Sequence, residues 1–163
     1  MTLIEAAKKD IGKKEKRGNT GFEDPHLEKA MKDVGWQAGW AWCAGIQEKW
    51  IREAFPERAT ELNGFFVPSA TATFRNLKNA GFSVSMVPSP GALVYWQRMQ
   101  DGNAQWQGHA GVVSRVISET EFYSIEGNTN SAGSREGDSV QEKQRYVRSD
   151  VQNGLKVIGF VTI

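Results

Sequence analysis

The sequence predicts an α+β domain, with helices in its first half and an antiparallel sheet of about five or six strands after them. Apolar residues fall at helical spacing up to about residue 80. From Leu93 onward, short runs rich in Val, Ile and aromatic residues replace that pattern. The links between those runs are too short for crossover helices, so neighbouring strands run antiparallel.

Residues 2–11 read as a short helix, because Leu3, Ala6, Ala7 and Ile11 share one face and Gly12 ends it. Lys13 to Gly21 reads as loop. Asp24 and Pro25 open a second helix that runs to about Val34, with proline in its first turn. An aromatic, glycine-containing stretch from Gly35 to Trp42 follows. The strongest helical pattern then begins at Cys43, with Ile46, Trp50, Ala54 and Phe55 on one side and Gln47, Glu48 and Arg52 opposite. Pro56 closes it. Ser69 caps a further helix from Ala70 to Asn79, which ends at Gly81. The strands expected are Leu93–Trp96, Ala110–Ile117, Glu121–Ile125, Gln144–Val147 and Val157–Thr162. The longest run without an element, Asn128–Glu142, is polar, and a loop of that length in a compact domain is more often functional or mobile than idle.

At 163 residues the chain fits one domain spanning 1–163. A chain of that size buries roughly 70% of the surface its unfolded form exposes. With 39% hydrophobic and 24% charged residues, neither a disordered chain nor a membrane protein is indicated. The formal net charge is +1, and the densest basic run, Lys8 to Arg17, is interrupted by Asp10 and Glu15. Neither nucleic acid nor a membrane is therefore an implied partner, and a monomer is expected. A single cysteine excludes an internal disulfide. The N-terminal residues lack the apolar stretch of a secretory signal, so synthesis in the cytoplasm without a recognisable leader is expected.

The chemistry-bearing residues are few. Cys43 stands where a helix starts, and the unpaired backbone N–H groups and positive dipole end there favour a thiolate. The same N–H groups can hold the oxyanion that forms when sulfur attacks a carbonyl. Of two histidines, His26 falls in a polar first turn and reads as a surface residue. His109 opens a strand, where an imidazole is held rigidly enough to act as a general base. A base needs an orienting partner. Glu126 and Asn128 lie two apart on the next strand and so share a face. A hairpin turning near Glu119 brings residue 128 roughly opposite residue 110, beside His109. The chain has no phosphate-cradling glycine loop, no HExxH, no paired CxxC and no nucleophile elbow, and no residues cluster as a zinc set. Trp36, Trp40 and Trp42 suit either a stacking wall for a sugar or peptide or packing of the helix end, the latter favoured for Trp36 and Trp42.

Trp42–Ala44 opening a helix, Gly108–Gly111 opening a strand and Glu126–Asn128 ending the next resemble the CHAP family, the cysteine, histidine-dependent amidohydrolases/peptidases. Pro90 and Gly91, Gly12 with Glu15, and Ile158–Phe160 are also similar, so the resemblance spans almost the whole chain. One departure is Ala92, where the family often has aspartate after the glycine. The resemblance implies a papain-like fold and a peptidoglycan hydrolase, amidase or endopeptidase, working through a thioester. Cys43 would be the nucleophile, His109 the base, Glu126 its orienting partner and Asn128 a further polar member. Which of Glu126 and Asn128 touches the imidazole stays open. Gln37 is a candidate oxyanion donor, as a glutamine is in papain-like enzymes. No metal or organic cofactor is expected.

Two other readings are kept. One is a CHAP-type amidase acting in the cytoplasm on a small γ-glutamyl or polyamine conjugate. The other is a non-catalytic wall-binding module, against which the retention of Cys43, His109 and a carboxylate argues. A hydrolase acting in the wall or periplasm without a leader fits a phage lysin or an injected toxin, the latter with a protective inhibitor protein. Specificity is expected in the segments 56–68, 97–108 and 128–142.

Overall fold

The computed structural model describes residues 1–129, 138–148 and 151–163. Helix α1 (Leu3–Lys8) starts at a capping box, in which the Thr2 hydroxyl accepts the Glu5 N–H and the Glu5 carboxylate accepts the Thr2 N–H. It is shorter than the periodicity suggests, because buried Asp10 turns the chain inward and ties it to the third helix. Helix α2 (Pro25–Asp33) is capped by Asp24, whose Oδ1 accepts the Leu27 N–H at 2.7 Å. Helix α3 (Cys43–Ala54) stops before Pro56. The segment expected as loop from residue 56 contains a 3₁₀ turn, Pro56–Arg58, and the short α4 (Ala59–Leu62). Helix α5 (Ala70–Asn79) begins at a Ser69 cap, and Gly81 leaves it at φ 92°.

Six strands follow: β1 (Ser83–Ser85), β2 (Leu93–Gln100), β3 (Asn103–Ser118), β4 (Glu121–Thr129), β5 (Ser139–Tyr146) and β6 (Leu155–Thr162). They form one antiparallel sheet in the order β1-β6-β2-β3-β4-β5, the α+β architecture expected. Residues 97–108, expected as loop, are instead the far end of the β2–β3 ribbon, which turns at Asp101 and Gly102, both at positive φ. Strand β5 starts at Ser139, well before Gln144. Its polar alternation through Gln141 and Lys143 hides it from an apolar pattern. The rest of the long polar run, residues 130–137, lies outside the described residues. The segment after α1 pairs with the outer edge of β5. The Gly12 N–H donates to the Val140 carbonyl, and the Val140 N–H to that of Lys13, so the first residues of that edge are covered.

The sheet carries apolar side chains on both faces. Tyr95, Ala110, Val112 and Ile125 pack against Ala6, Ile46 and Trp50 of the helices. Val94, Trp96, Val113, Phe122 and Phe160 form a second cluster on the other face. Phe122 of β4 and Phe160 of β6 meet edge-on with centroids 5.2 Å apart. In a flat sheet those strands would be about 14 Å apart, at about 4.8 Å per neighbour. The sheet is therefore curled around this second cluster, and the curl shelters the polar groups described below.

The seam between α1 and α3 is held by one carboxylate. Asp10 Oδ2 accepts from Lys49 Nζ at 2.5 Å and Trp50 Nε1 at 2.8 Å, while Oδ1 lies 2.8 Å from Lys13 Nζ. Asp10→Ala leaves a nearly buried ammonium with only Glu53 to answer it. The expected loss is about 3 kcal/mol, measured by urea denaturation, with a smaller loss for Asp10→Asn.

Candidate active site

Cys43 is the first residue of α3, after Trp42 in a non-helical conformation and with no side chain capping the turn. The positive end of the helix dipole therefore lies at the thiol. Cys43 is only 3% exposed, yet it lines a cleft of about 390 Å³ together with Trp40, Pro68, Trp106 and Gly108. The thiol side of the site is buried but opens on a space large enough for a substrate.

The glycines of the sequence motifs are where backbones press closest. A Cβ on Gly127 would lie 2.5 Å from the Trp42 ring and 2.6 Å from Ile46 Cγ2, so only glycine lets β4 approach the start of α3. A Cβ on Gly108 would meet the Trp96 carbonyl at 2.5 Å and Thr71 Cγ2 at 2.7 Å. Trp42 is anchored from its other side, its Nε1 donating to Glu15 Oε2 at 2.7 Å.

His109 is fully buried, and its Nε2 lies 2.8 Å from Glu126 Oε2. The β3–β4 register pairs Gly111 with Glu126, so residue 110 stands opposite 127, one residue from the expected alignment. Glu126, diagonal to His109 in that register, is the residue that reaches the imidazole. Asn128 is buried two residues further on, at φ 56°, where the β4–β5 register shifts. Three further hydrogen bonds reach Glu126: Ser124 Oγ to Oε1 at 2.6 Å, Arg145 Nε to Oε1 at 2.8 Å and Arg145 Nη2 to Oε2 at 2.6 Å.

These contacts set the charges. Burial pushes the Glu126 carboxyl up, but the charge and hydrogen bonds of Arg145, joined by those of His109, outweigh it and bring it down to about 2. Burial pulls His109 down, and the opposing hydrogen bonds and charges of Cys43 and Glu126 prevail, so its pKa is raised. An ionised carboxylate only accepts, so Nε2 carries the ring proton and Nδ1 of the neutral ring is the basic nitrogen. Nδ1 is buried without a conventional hydrogen-bond partner, and the thiol of Cys43 couples to the same ring. The arrangement can take a proton from sulfur and hold the resulting imidazolium.

Cys43, His109 and Glu126 are therefore brought together, with Asn128 at their margin. His26 is exposed, and so is Gln37, which is absent from the cleft lining. Trp36 and Trp42 are buried, each 5.0 Å from the Phe22 ring, whereas Trp40 is 38% exposed on the cleft wall. Sequence reading alone misses two residues. Trp106, 72% exposed, forms another wall of the cleft but sits in a stretch read as loop. Arg145 reads as an ordinary strand residue, and the mostly polar β5 gives no sign of which of its faces is buried. Among the described residues no group of three or more His, Cys, Asp or Glu side chains could hold a metal ion. Nor is any described helix long and apolar enough to cross a membrane.

The sequence model of the CHAP domain family matches residues 30–128, which include all four of these polar residues. The chain belongs to the CHAP domain family, one of amidases and peptidases. An N-acetylmuramoyl-L-alanine amidase from Staphylococcus aureus is similar among solved structures, at 21% identity and a TM-score of 0.39 over 58% of this chain. This chain spans 24% of that one. No curated protein matches the sequence.

The Glu126 linkage has a definite sign. A carboxyl lowered from 4.5 to about 2 contributes stability above its unfolded value, and loses it as pH falls through that interval. Glu126→Gln is expected to cost about 3 kcal/mol near neutral pH, because it removes the buried charge that the Arg145 fork holds. The gap from the parent should narrow as pH falls towards about 2, as read by denaturant titration at several pH values.

Proposed function

We propose that this protein is a peptidoglycan hydrolase that cuts an amide bond with Cys43 as nucleophile. The observation that carries the reading is a thiol at a helix N-terminus on a cleft wall, coupled to an imidazole whose other nitrogen is held by a buried carboxylate. His109 Nδ1 takes the thiol proton as Sγ bonds to the carbonyl carbon. The oxyanion lies against the N–H groups opening α3. Collapse breaks the C–N bond, the imidazolium gives its proton to the leaving amine, and a thioester remains. Water attacks the thioester with His109 again as base, releasing the acid and restoring the thiol. Glu126 keeps the Nε2 proton in place and steadies the imidazolium. Asn128 acts as a further polar member by shaping the end of β4.

Trp40 and Trp106 line the cleft beside the thiol, and the rest of its lining, including Val67, Pro68 and Ala70, is uncharged. That suits a sugar ring or a short uncharged stretch of peptide.

Cys43→Ala and His109→Ala should each abolish release of fragments from purified sacculi while keeping a cooperative unfolding transition. Cys43→Ala protein that digests sacculi as fast as the parent sinks the mechanism. Trp106→Ala should raise KM several-fold and leave kcat within about threefold, since the ring binds substrate without touching the reacting atoms.

A further inference from the structure

Buried arginines are rare in the absence of a task, and Arg145 is 1% exposed. Its Nε and Nη2 take one oxygen each of Glu126, a two-point fork that fixes the carboxylate in plane as well as in charge. The guanidinium carbon lies 5.1 Å from the centroid of Trp96, whose ring is 5.4 Å from that of His109. Glu126 Oε2 is thereby shared between Arg145 and His109.

We propose that Arg145 is a positioning residue of the reaction: its fork immobilises Glu126 as a charged partner for His109 and so sustains the thiolate–imidazolium pair. The proposal rests on the cysteine mechanism above but not on the wall substrate. In both states of the pair the cluster stays balanced. With thiol and neutral ring, Glu126 offsets Arg145; with thiolate and imidazolium, each new charge offsets the other.

The other polar groups near the cluster do not replace the fork. From β4, Ser124 donates a hydrogen bond but brings no charge. From β5, Lys143 lies within the field of Glu126 and Arg145 but is partly exposed and makes no hydrogen bond to the carboxylate. From β2, Tyr95 lies within the field of Cys43 and donates to Gln47 Oε1; burial and the sulfur's charge hold its pKa well above the ordinary phenol value, so it stays neutral.

Removing the arginine acts in one direction by either route. If Glu126 stays ionised, the thiolate loses a nearby cation. If burial protonates Glu126, the imidazolium loses its partner. Both push thiolate formation to higher pH.

The test is the pH dependence of Cys43 alkylation by iodoacetamide, with circular dichroism as the check on folding. Arg145→Gln should move the acidic limb upward by about one pH unit or more, a tenfold slower reaction on that limb. Arg145→Lys keeps the charge but not the fork, and should give a smaller upward shift. Lys143→Gln should leave the limb within about 0.3 units, as befits a screened, partly exposed charge. Limbs in the Arg145 variants that coincide with the parent, or a Lys143→Gln shift as large as that of Arg145→Gln, overturn the proposal. If Arg145→Gln does not fold, Arg145→Lys decides by the same criterion. Alkylation needs no wall fragment, so a parent inactive on sacculi would sink the hydrolase reading and leave this result standing.

Discussion

The constraint on which the rest depends is a carboxylate without access to water. Glu126 is fully buried, and an uncompensated buried carboxylate neutralises itself by keeping its proton. Here it accepts from an imidazole, a hydroxyl and both arms of a guanidinium, and it remains ionised. That outcome fixes the tautomer of His109, and the tautomer in turn makes Nδ1 the basic nitrogen. A different protonation state at residue 126 would reverse the roles of the two ring nitrogens.

Keeping such a cluster dry needs walls, and the curl of the sheet supplies them. Trp96, Phe122 and Phe160 close over the face that carries His109, Glu126 and Arg145, while the helices cover the other face. Cys43 reaches the imidazole from the helix side. The site therefore spans two layers, and its geometry depends on how closely α3 approaches the end of β4. Gly127 against Trp42 and Ile46 sets that approach.

Much of this was legible in the chain, for reasons that differ by element. Helix α5 has a serine cap, an apolar stripe and a terminal glycine, all local signals, and its bounds agree with expectation. The β3–β4 hairpin was legible because two apolar runs flank a short polar turn, which placed Glu126 and Asn128 near His109 to within one residue of register. Choosing between those two residues was beyond the sequence, because the choice depends on the side chain's reach and on the register shift after Glu126. Arg145 was invisible for a deeper reason. Strand β5 has few apolar residues to mark its inward face, and a buried arginine looks like any surface cation until its counter-charge is located on another strand.

The motif glycines and the polar residues between them form one unit of packing and chemistry. In Gly108–Gly111 the first glycine lets β3 pass the Trp96 carbonyl and Thr71, and the last makes room for Glu126, whose Cγ would lie 2.8 Å from a Cβ there. His109 sits between them, so its ring is set by two close backbone approaches rather than by its own rotamer alone. In Glu126–Asn128, Gly127 turns its bare side to α3 while Glu126 and Asn128 flank it. A side chain at any of these glycines would displace the strand carrying a polar neighbour, separating thiol, ring and carboxylate without altering any of them. The short motifs can therefore signal the geometry of the candidate site because the glycines beside its polar residues also fix the distances between the layers.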